Sequence, residues 1–242
     1  MSSGIINALL DIIYPKTCLA CKRNLKGIAA VDNLVCRECW GKIKRNLPPF
    51  CYSCGRHLEN SYLAKHICGR CVKIPLRFDR AFSPCVYEGV TKDLIHEFKY
   101  KGKDYLGHAL SRLMIDFIKE YDLPIEYMDA VVPVPLHKTR LREREFNQAE
   151  ILSEHIAREF GKEVLGGNLI RHRPTRTQTE LETEERFLNV SGSFSLKDSR
   201  AVRGKNILLV DDVLTTAATS SEAASVLKNS GAQIVYVLTL AN

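Results

Sequence analysis

Four Cys-x-x-Cys pairs, Cys18/Cys21, Cys36/Cys39, Cys51/Cys54 and Cys68/Cys71, take up eight of the nine cysteines and all lie in the first third of the chain. A disulfide framework rarely spaces every partner by two residues. Tetrahedral zinc, by contrast, uses such a pair as half a site, with both sulfurs aimed from one tight turn. Taken in sequence order the pairs predict two four-sulfur sites, each holding a short ribbon. Interleaved pairing, and His57 or His66 in place of a cysteine, are the alternatives. A redox role fits less well, because no thioredoxin-like context surrounds the pairs. Closed four-sulfur sites are normally structural, so Zn2+ is expected to fold this module rather than to do chemistry. Cys85, alone in "AFSPCVYEG", reads as a small buried hydrophobe.

A chain of 242 residues with 45% hydrophobic content can bury one ordinary core and still carry an accessory module. The boundary is expected near Ile74 to Asp79, giving a zinc module over residues 1–78 and a second domain over 79–242. No apolar run approaches the roughly 20 residues of a membrane span, and Ile5 to Ile13 is interrupted by Asn7 and Asp11 and lacks a cleavage-site pattern. A soluble, cytoplasmic protein with no export signal is the expectation. Charge is uneven: 13 Lys and Arg face 4 Asp and Glu in residues 1–78, against 22 and 24 in the remainder. Eight thiolates on two Zn2+ ions would lower the module to about +5. A basic ribbon suits nucleic-acid phosphates, and a solvated basic surface on a small stapled domain accounts for it equally well. Trp40, Phe50, Tyr52 and Tyr62 could stack bases or fill a very small core.

Beyond the zinc module, apolar strands alternate with amphipathic helices. Ala130–Val134, Ile207–Val210 and Ile234–Leu240 read as strands; Ala149, Leu152, Ile156 and Phe160 recur at helical spacing and stop at Gly161, and Ala223, Val226 and Leu227 mark a helix ending near Gly231. Such alternation predicts an α/β, Rossmann-like domain, a mostly parallel sheet with helices on both faces.

In such a sheet ligands gather at the carboxyl ends of the strands, which is where "ILLVDDVLTTAATS" puts Asp211 and Asp212. The small residues and hydroxyls that follow run into a helix over Ser221 to Asn229, and a helix N-terminus favours negative charge, so the stretch reads as a phosphate cradle. Adjacent carboxylates would repel phosphate alone. They suit a ligand that also offers hydroxyls, which points to a sugar phosphate. A plain strand-end turn with Asp and Thr caps is the alternative.

This stretch resembles the phosphoribosyl pyrophosphate motif of type I phosphoribosyltransferases. The stretches "VVPVPLHKTRLREREFNQAEILS", "RHRPTRTQTELETEERFLNVSGSF" and "FKYKGKDYLG", with the cysteine-paired N-terminus, are similar to signature blocks of the ComF family, in the right order and over nearly the whole chain. The resemblance implies a type I phosphoribosyltransferase fold behind a double zinc ribbon, binding phosphoribosyl pyrophosphate with Mg2+. Asp211 and Asp212 would take the ribose hydroxyls, and Thr215, Thr216, Ala217, Ala218 and Thr219 the 5′-phosphate. Pro133, Val134, Pro135 and Leu136 would be the pyrophosphate loop, with Arg140 and Arg144 toward the diphosphate; a solvated helix face interleaved with Glu143 and Glu145 is the alternative for these two. Thr175 to Asn189, with Gln178, Glu185 and Arg186, would be a mobile hood. Two family glycines are replaced, by Ala217 in the phosphate loop and by Glu145 in the Arg-Gly-Phe-Asn-Gln block. If either needs φ above zero, a side chain there costs on the order of 1 kcal/mol.

Three functions follow as expectations. The family's association with natural transformation implies a binding module handling single-stranded DNA beside DNA-uptake proteins. The transferase motif implies phosphoribosyl transfer to a nitrogen nucleophile. A degenerate fold kept for protein contacts would bind neither ligand.

Overall fold

The computed structural model describes residues 16–59, 66–100, 102–174 and 183–242. The α/β expectation holds. Strands β3 (Arg80–Phe82), β4 (Ala130–Pro133), β5 (Glu163–Val164), β8 (Asn206–Val213) and β9 (Ile234–Ala241) form one sheet in the order β3-β9-β8-β4-β5. Every pairing in it is parallel. The three strands expected from the apolar runs are its centre, β4, β8 and β9. A separate antiparallel hairpin, β6 (Leu169–Arg171) with β7 (Phe194–Leu196), lies outside that sheet.

Side chains alternate across a strand, so β8 sends Leu208 and Val210 to one face and Ile207 and Leu209 to the other, and each face has its own buried cluster. The first cluster draws on α3 (Gly89–Lys99), α4 (Leu106–Glu120) and α6 (Gln148–Phe160), through Leu94, Phe98, Leu110, Met114, Leu152 and Ile156. The second draws on α8 (Ala218–Asn229), through Ala223, Ala224 and Leu227. Helix α6 is capped by Asn147, whose side chain accepts from Ala149 N, and it stops as expected at Gly161, in the left-handed conformation.

The cysteine pairs combine in sequence order: Cys18, Cys21, Cys36 and Cys39 form one group of sulfurs, and Cys51, Cys54, Cys68 and Cys71 the other. The first ribbon pairs β1 (Ala30–Val31) with β2 (Val35–Cys36) and continues into α1 (Arg37–Gly41); the second carries α2 (Gly69–Lys73). They do not sit side by side. Cys18, Val35, Cys36 and Ile43 join the buried cluster on one face of the sheet, whereas Cys51, Cys54 and Leu58 join the cluster on the other. The chain between them runs along the sheet edge, where Val86 N donates to Lys44 O at 2.9 Å and Asn46 N donates to Pro84 O at 2.8 Å. Cys85 pairs with both Arg45 and Ala241, is fully buried, and burial pushes its thiol up to about 11 against the pull of Arg45. It is the core residue its isolation suggested.

Ionic ties reinforce the first ribbon. Asp32 meets His108 at 2.8 Å and Arg112 at 3.2 Å on α4, and Lys22 meets Glu97 on α3 at 2.8 Å. Burial opposes ionisation of Glu97, but Lys103 and Lys22 hold its carboxyl down at about 2. Of the four aromatics singled out, Phe50 packs edge-on against Phe117 and Tyr121, and Trp40 packs against the same cluster, so both serve the core. Tyr52 is 57% exposed with the Arg80 guanidinium 5.0 Å above its ring; Tyr62 lies outside the described residues.

Candidate functional site

Asp211 and Asp212 lie at the carboxyl end of the central strand β8, just before its last residue Val213, between β4 and β9. The pair is internally braced, since Asp212 N donates to Asp211 Oδ1 at 2.8 Å. Lys99, the last residue of α3, places Nζ 2.9 Å from Asp212 Oδ2, both side chains being largely buried. Among the described residues Asp211 has no ion-pair partner in contact. Burial, then the charge of Asp212, pushes its carboxyl up to about 7, with Lys99 and Arg171 acting against the shift. Near neutral pH the two carboxylates therefore carry less than two negative charges, which eases the approach of an anion.

The loop after β8 follows from one backbone conformation. Leu214 N donates to Ala241 O at 2.8 Å, extending the sheet by one bond. Ala217 then turns left-handed, at φ 66° and ψ 4°, and α8 begins at Ala218 with no side-chain cap, three residues before the expected start. Ala218 and Thr219 thus belong to the first turn of the helix rather than to a loop. Thr215 is exposed, Thr216 and Ala218 are buried and Thr219 is half-buried. The orphan N–H groups of a helix's first turn are a natural anion site.

The segment expected to face a diphosphate begins where β4 ends at Pro133. Val134 N donates to Val210 O at 2.9 Å and its carbonyl accepts from Asn147 Nδ2 at 3.1 Å, so Val134 and Pro135 are held beside the end of β8. Helix α5 (Lys138–Arg144) follows, with His137 Nδ1 accepting from Thr139 N at its start. The solvated-face alternative fails for Arg144, which is buried, donates to Gln148 Oε1 at 3.0 Å and stacks 5.5 Å above Tyr100. Arg140 is half-buried. The helix ends at Glu145, left-handed at φ 69°. Both family glycines are therefore replaced where a positive φ is required.

Two site residues escaped the sequence reading. Lys99 lay in a quoted block among three lysines, with nothing local to single it out. Arg171 ends β6, has its guanidinium 5.4 Å above Phe194, and lies within electrostatic reach of Asp211, Arg140 and Arg144. Nothing local in the sequence singles it out, because a strand of three residues shows no periodicity. Of that hood, residues 175–182 with Gln178 lie outside the described residues, whereas Glu185 and Arg186 belong to α7 (Thr183–Val190). A cavity of about 590 Å³ separates the β4 loop from the hairpin, bounded by Pro133, Pro135, Asn147, Arg171, His172 and Lys197.

The cysteine groups fit zinc. Within each, all sulfurs lie within 4.8 Å of one another. Cys36 N approaches Cys18 Sγ at 3.4 Å and Cys68 N approaches Cys51 Sγ at 3.3 Å, the backbone donors that stabilise thiolate. Burial raises the Cys18 thiol, but N–H groups of Cys21, Cys36 and Ala20 more than offset it, leaving it at about 6. Hydrogen bonds from Cys54 and Cys71 lower Cys51 further. His57 is not a ligand; its Nδ1 bonds Leu47 O at 2.8 Å.

A parallel sheet with paired acids at its central strand end, a helix-entering loop behind them and two four-cysteine ribbons define a phosphoribosyltransferase-type domain joined to a double zinc ribbon. Family models agree, matching "Double zinc ribbon domain" over residues 9–72 and "Phosphoribosyl transferase domain" over residues 147–242. The chain is 30% identical to "Competence protein F" of Haemophilus influenzae over 93% of its own length and 96% of the relative's. It is also 30% identical to "DNA utilization protein YhgH" of Escherichia coli K12, covering 85% of this chain and 89% of that one, and to "Competence protein ComFC" of Bacillus subtilis, covering 83% and 80%. The chain belongs to the competence protein F (ComF) family. Among solved structures it is similar to the glutamine phosphoribosylpyrophosphate amidotransferase of B. subtilis, at 20% identity and a TM-score of 0.36, spanning 60% of this chain and about a quarter (26%) of that one. It is also similar to the adenine phosphoribosyltransferase of Leishmania donovani, at 14% identity and a TM-score of 0.35, over 55% and 65%. Among the described residues no helix is long and apolar enough to cross a membrane.

Proposed function

We propose that the protein binds phosphoribosyl pyrophosphate together with Mg2+ at the end of β8 and handles single-stranded DNA in the cytoplasm during DNA uptake. In this reading residues 1–78 are the zinc module and 79–242 the sugar-phosphate-binding part. The observation that carries it is the acid pair Asp211–Asp212, braced by Lys99 at 2.9 Å and followed at once by a tight loop into α8. Carboxylates accept from ribose hydroxyls; Thr215, Thr216 and the first-turn amides of Ala218 and Thr219 receive the 5′-phosphate. Arg140, Arg144 and Arg171 face the diphosphate from the other side. Mg2+ carried by the diphosphate would neutralise part of its charge, while Arg140, Arg144 and Arg171 supply the rest. The names of the H. influenzae and E. coli relatives, a competence protein and a DNA utilization protein, support the DNA side of the proposal.

The cavity beside Arg171 favours a second reading, transfer of the phosphoribosyl group to a nitrogen nucleophile. At about 590 Å³ it lies within the range of small-molecule sites. Asp211 and Asp212 would then favour the positive charge that develops on the ribose ring.

Calorimetric titration of the zinc-loaded protein with phosphoribosyl pyrophosphate, with and without Mg2+, tests the first reading. Micromolar, Mg2+-linked binding that is lost in Asp212→Asn is the expected result. Absence of binding in the folded parent protein would sink it. Pyrophosphate release on adding purine, pyrimidine, amine or ammonia acceptors would establish the second reading.

A further inference from the structure

The second zinc ribbon leans on the loop that carries Ala217. Arg70, on α2 between the ligands Cys68 and Cys71, donates from Nη1 to the carbonyl oxygen of Thr215 at 3.0 Å. Further along, the backbone N–H of Arg77 donates to Ser221 Oγ at 3.0 Å. These bonds bracket Ala217 on both sides. Between them lies a cleft walled by Cys54, Arg56, Arg70 and Cys71 from the ribbon and by Thr215 to Ala217 from the loop.

Left-handed backbone at a residue with a side chain costs about 1 kcal/mol and persists where the surroundings over-determine it. The ribbon supplies that constraint. Its contact also sets a direction. The Thr215–Thr216 peptide is trans, so its carbonyl and its N–H point oppositely. A guanidinium holding the carbonyl on the ribbon side aims the Thr216 N–H away from the ribbon. Arg70 can do this only while α2 is fixed, and α2 is held by two sulfurs of one site, Cys68 at its N-cap and Cys71 at its middle.

We propose that Arg70 is a positioning residue and the second ribbon a clamp on the phosphate loop, so that zinc at Cys51, Cys54, Cys68 and Cys71 and a sugar phosphate bind with positive coupling. The proposal rests on the phosphate-loop reading above. Coupling of this kind is reciprocal: zinc strengthens ligand binding, and ligand slows zinc loss, at this site and not at the first, which packs on the opposite face of the sheet.

Ribose 5-phosphate is the probe, titrated calorimetrically into the full-length, zinc-loaded protein. Arg70→Ala is expected to weaken binding about tenfold while retaining both zinc ions, Arg70→Lys to restore most of it, and Arg37→Ala on the first ribbon to change nothing. Zinc transfer to a chromogenic chelator provides a test that needs no variant. In the parent protein ribose 5-phosphate should slow the release of one zinc of the two; in Arg70→Ala it should slow neither. Parent-like binding by Arg70→Ala, or zinc release indifferent to the ligand, would overturn the clamp alone. A folded parent that does not bind ribose 5-phosphate would overturn the phosphate-loop reading and the clamp with it.

Discussion

Ala217 and Glu145 differ in what their left-handed backbone costs. Glu145 is exposed, so its strain is not repaid by packing, whereas Ala217 is 8% exposed and its methyl belongs to a buried cluster. Glu145→Gly should therefore stabilise the protein by about 0.5–1 kcal/mol, raising the melting temperature by roughly 1–3 °C. Ala217→Gly should gain less, because relief of strain is offset by the lost methyl contact. Calorimetric melting of the two variants beside the parent checks the ranking. Asp211 makes a pH-dependent prediction. Its folded carboxyl sits at about 7, above the usual carboxylate value, so the folded state holds this proton more tightly than the unfolded chain. The resulting stabilisation is complete below about pH 4 and is lost as pH rises through 7. Asp211→Asn keeps the acceptor for Asp212 N and removes the titration. It should raise the melting temperature more at pH 8 than at pH 5; an equal gain at both would contradict the assignment.

At the scale of elements, zinc and core are one system. Cys36 ends β2, precedes α1 and lies in the same cluster as Leu94 and Phe98. Cys36→Ser should cost one equivalent of zinc and several kcal/mol of stability, read by metal analysis and urea unfolding. The elements most legible in the sequence were those with a sustained period: the apolar runs of β4, β8 and β9, and α6 with its Gly161 end. The acid pair was legible because a strand end in a parallel sheet is where ligands gather. The hairpin of β6 and β7 was not, since strands of three residues show no periodicity. Without that hairpin Arg171 had no place in the site. Helix α8 starts before the expected Ser221 because the chain enters it through a left-handed Ala217 with no side-chain cap, which leaves no local signal in the sequence. Lys99 became visible only once α3 had brought it to Asp212.

At the scale of the molecule, the basic excess belongs to ribbons that grip both faces of the sheet beside the β3 edge. If they hold single-stranded DNA, affinity should fall steeply and log-linearly with salt, as counterions are released from the strand. Charge reversal at the exposed Lys26 and Lys73 should weaken binding and flatten that slope, more than Asp212→Asn does, in fluorescence anisotropy over a salt series. Salt-independent binding would contradict the electrostatic reading.

The two-sided grip also fixes an order of events during synthesis. The zinc ligands emerge early, yet the apolar sides of both ribbons are completed by strands at the far end of the chain. About 160 residues separate Cys71 from the start of β9. At a ribosomal pace of roughly 5–20 residues per second, the ribbons wait on the order of ten to thirty seconds for that strand. Metal captured on emergence would keep eight thiols and a half-finished hydrophobic surface from other partners during that interval.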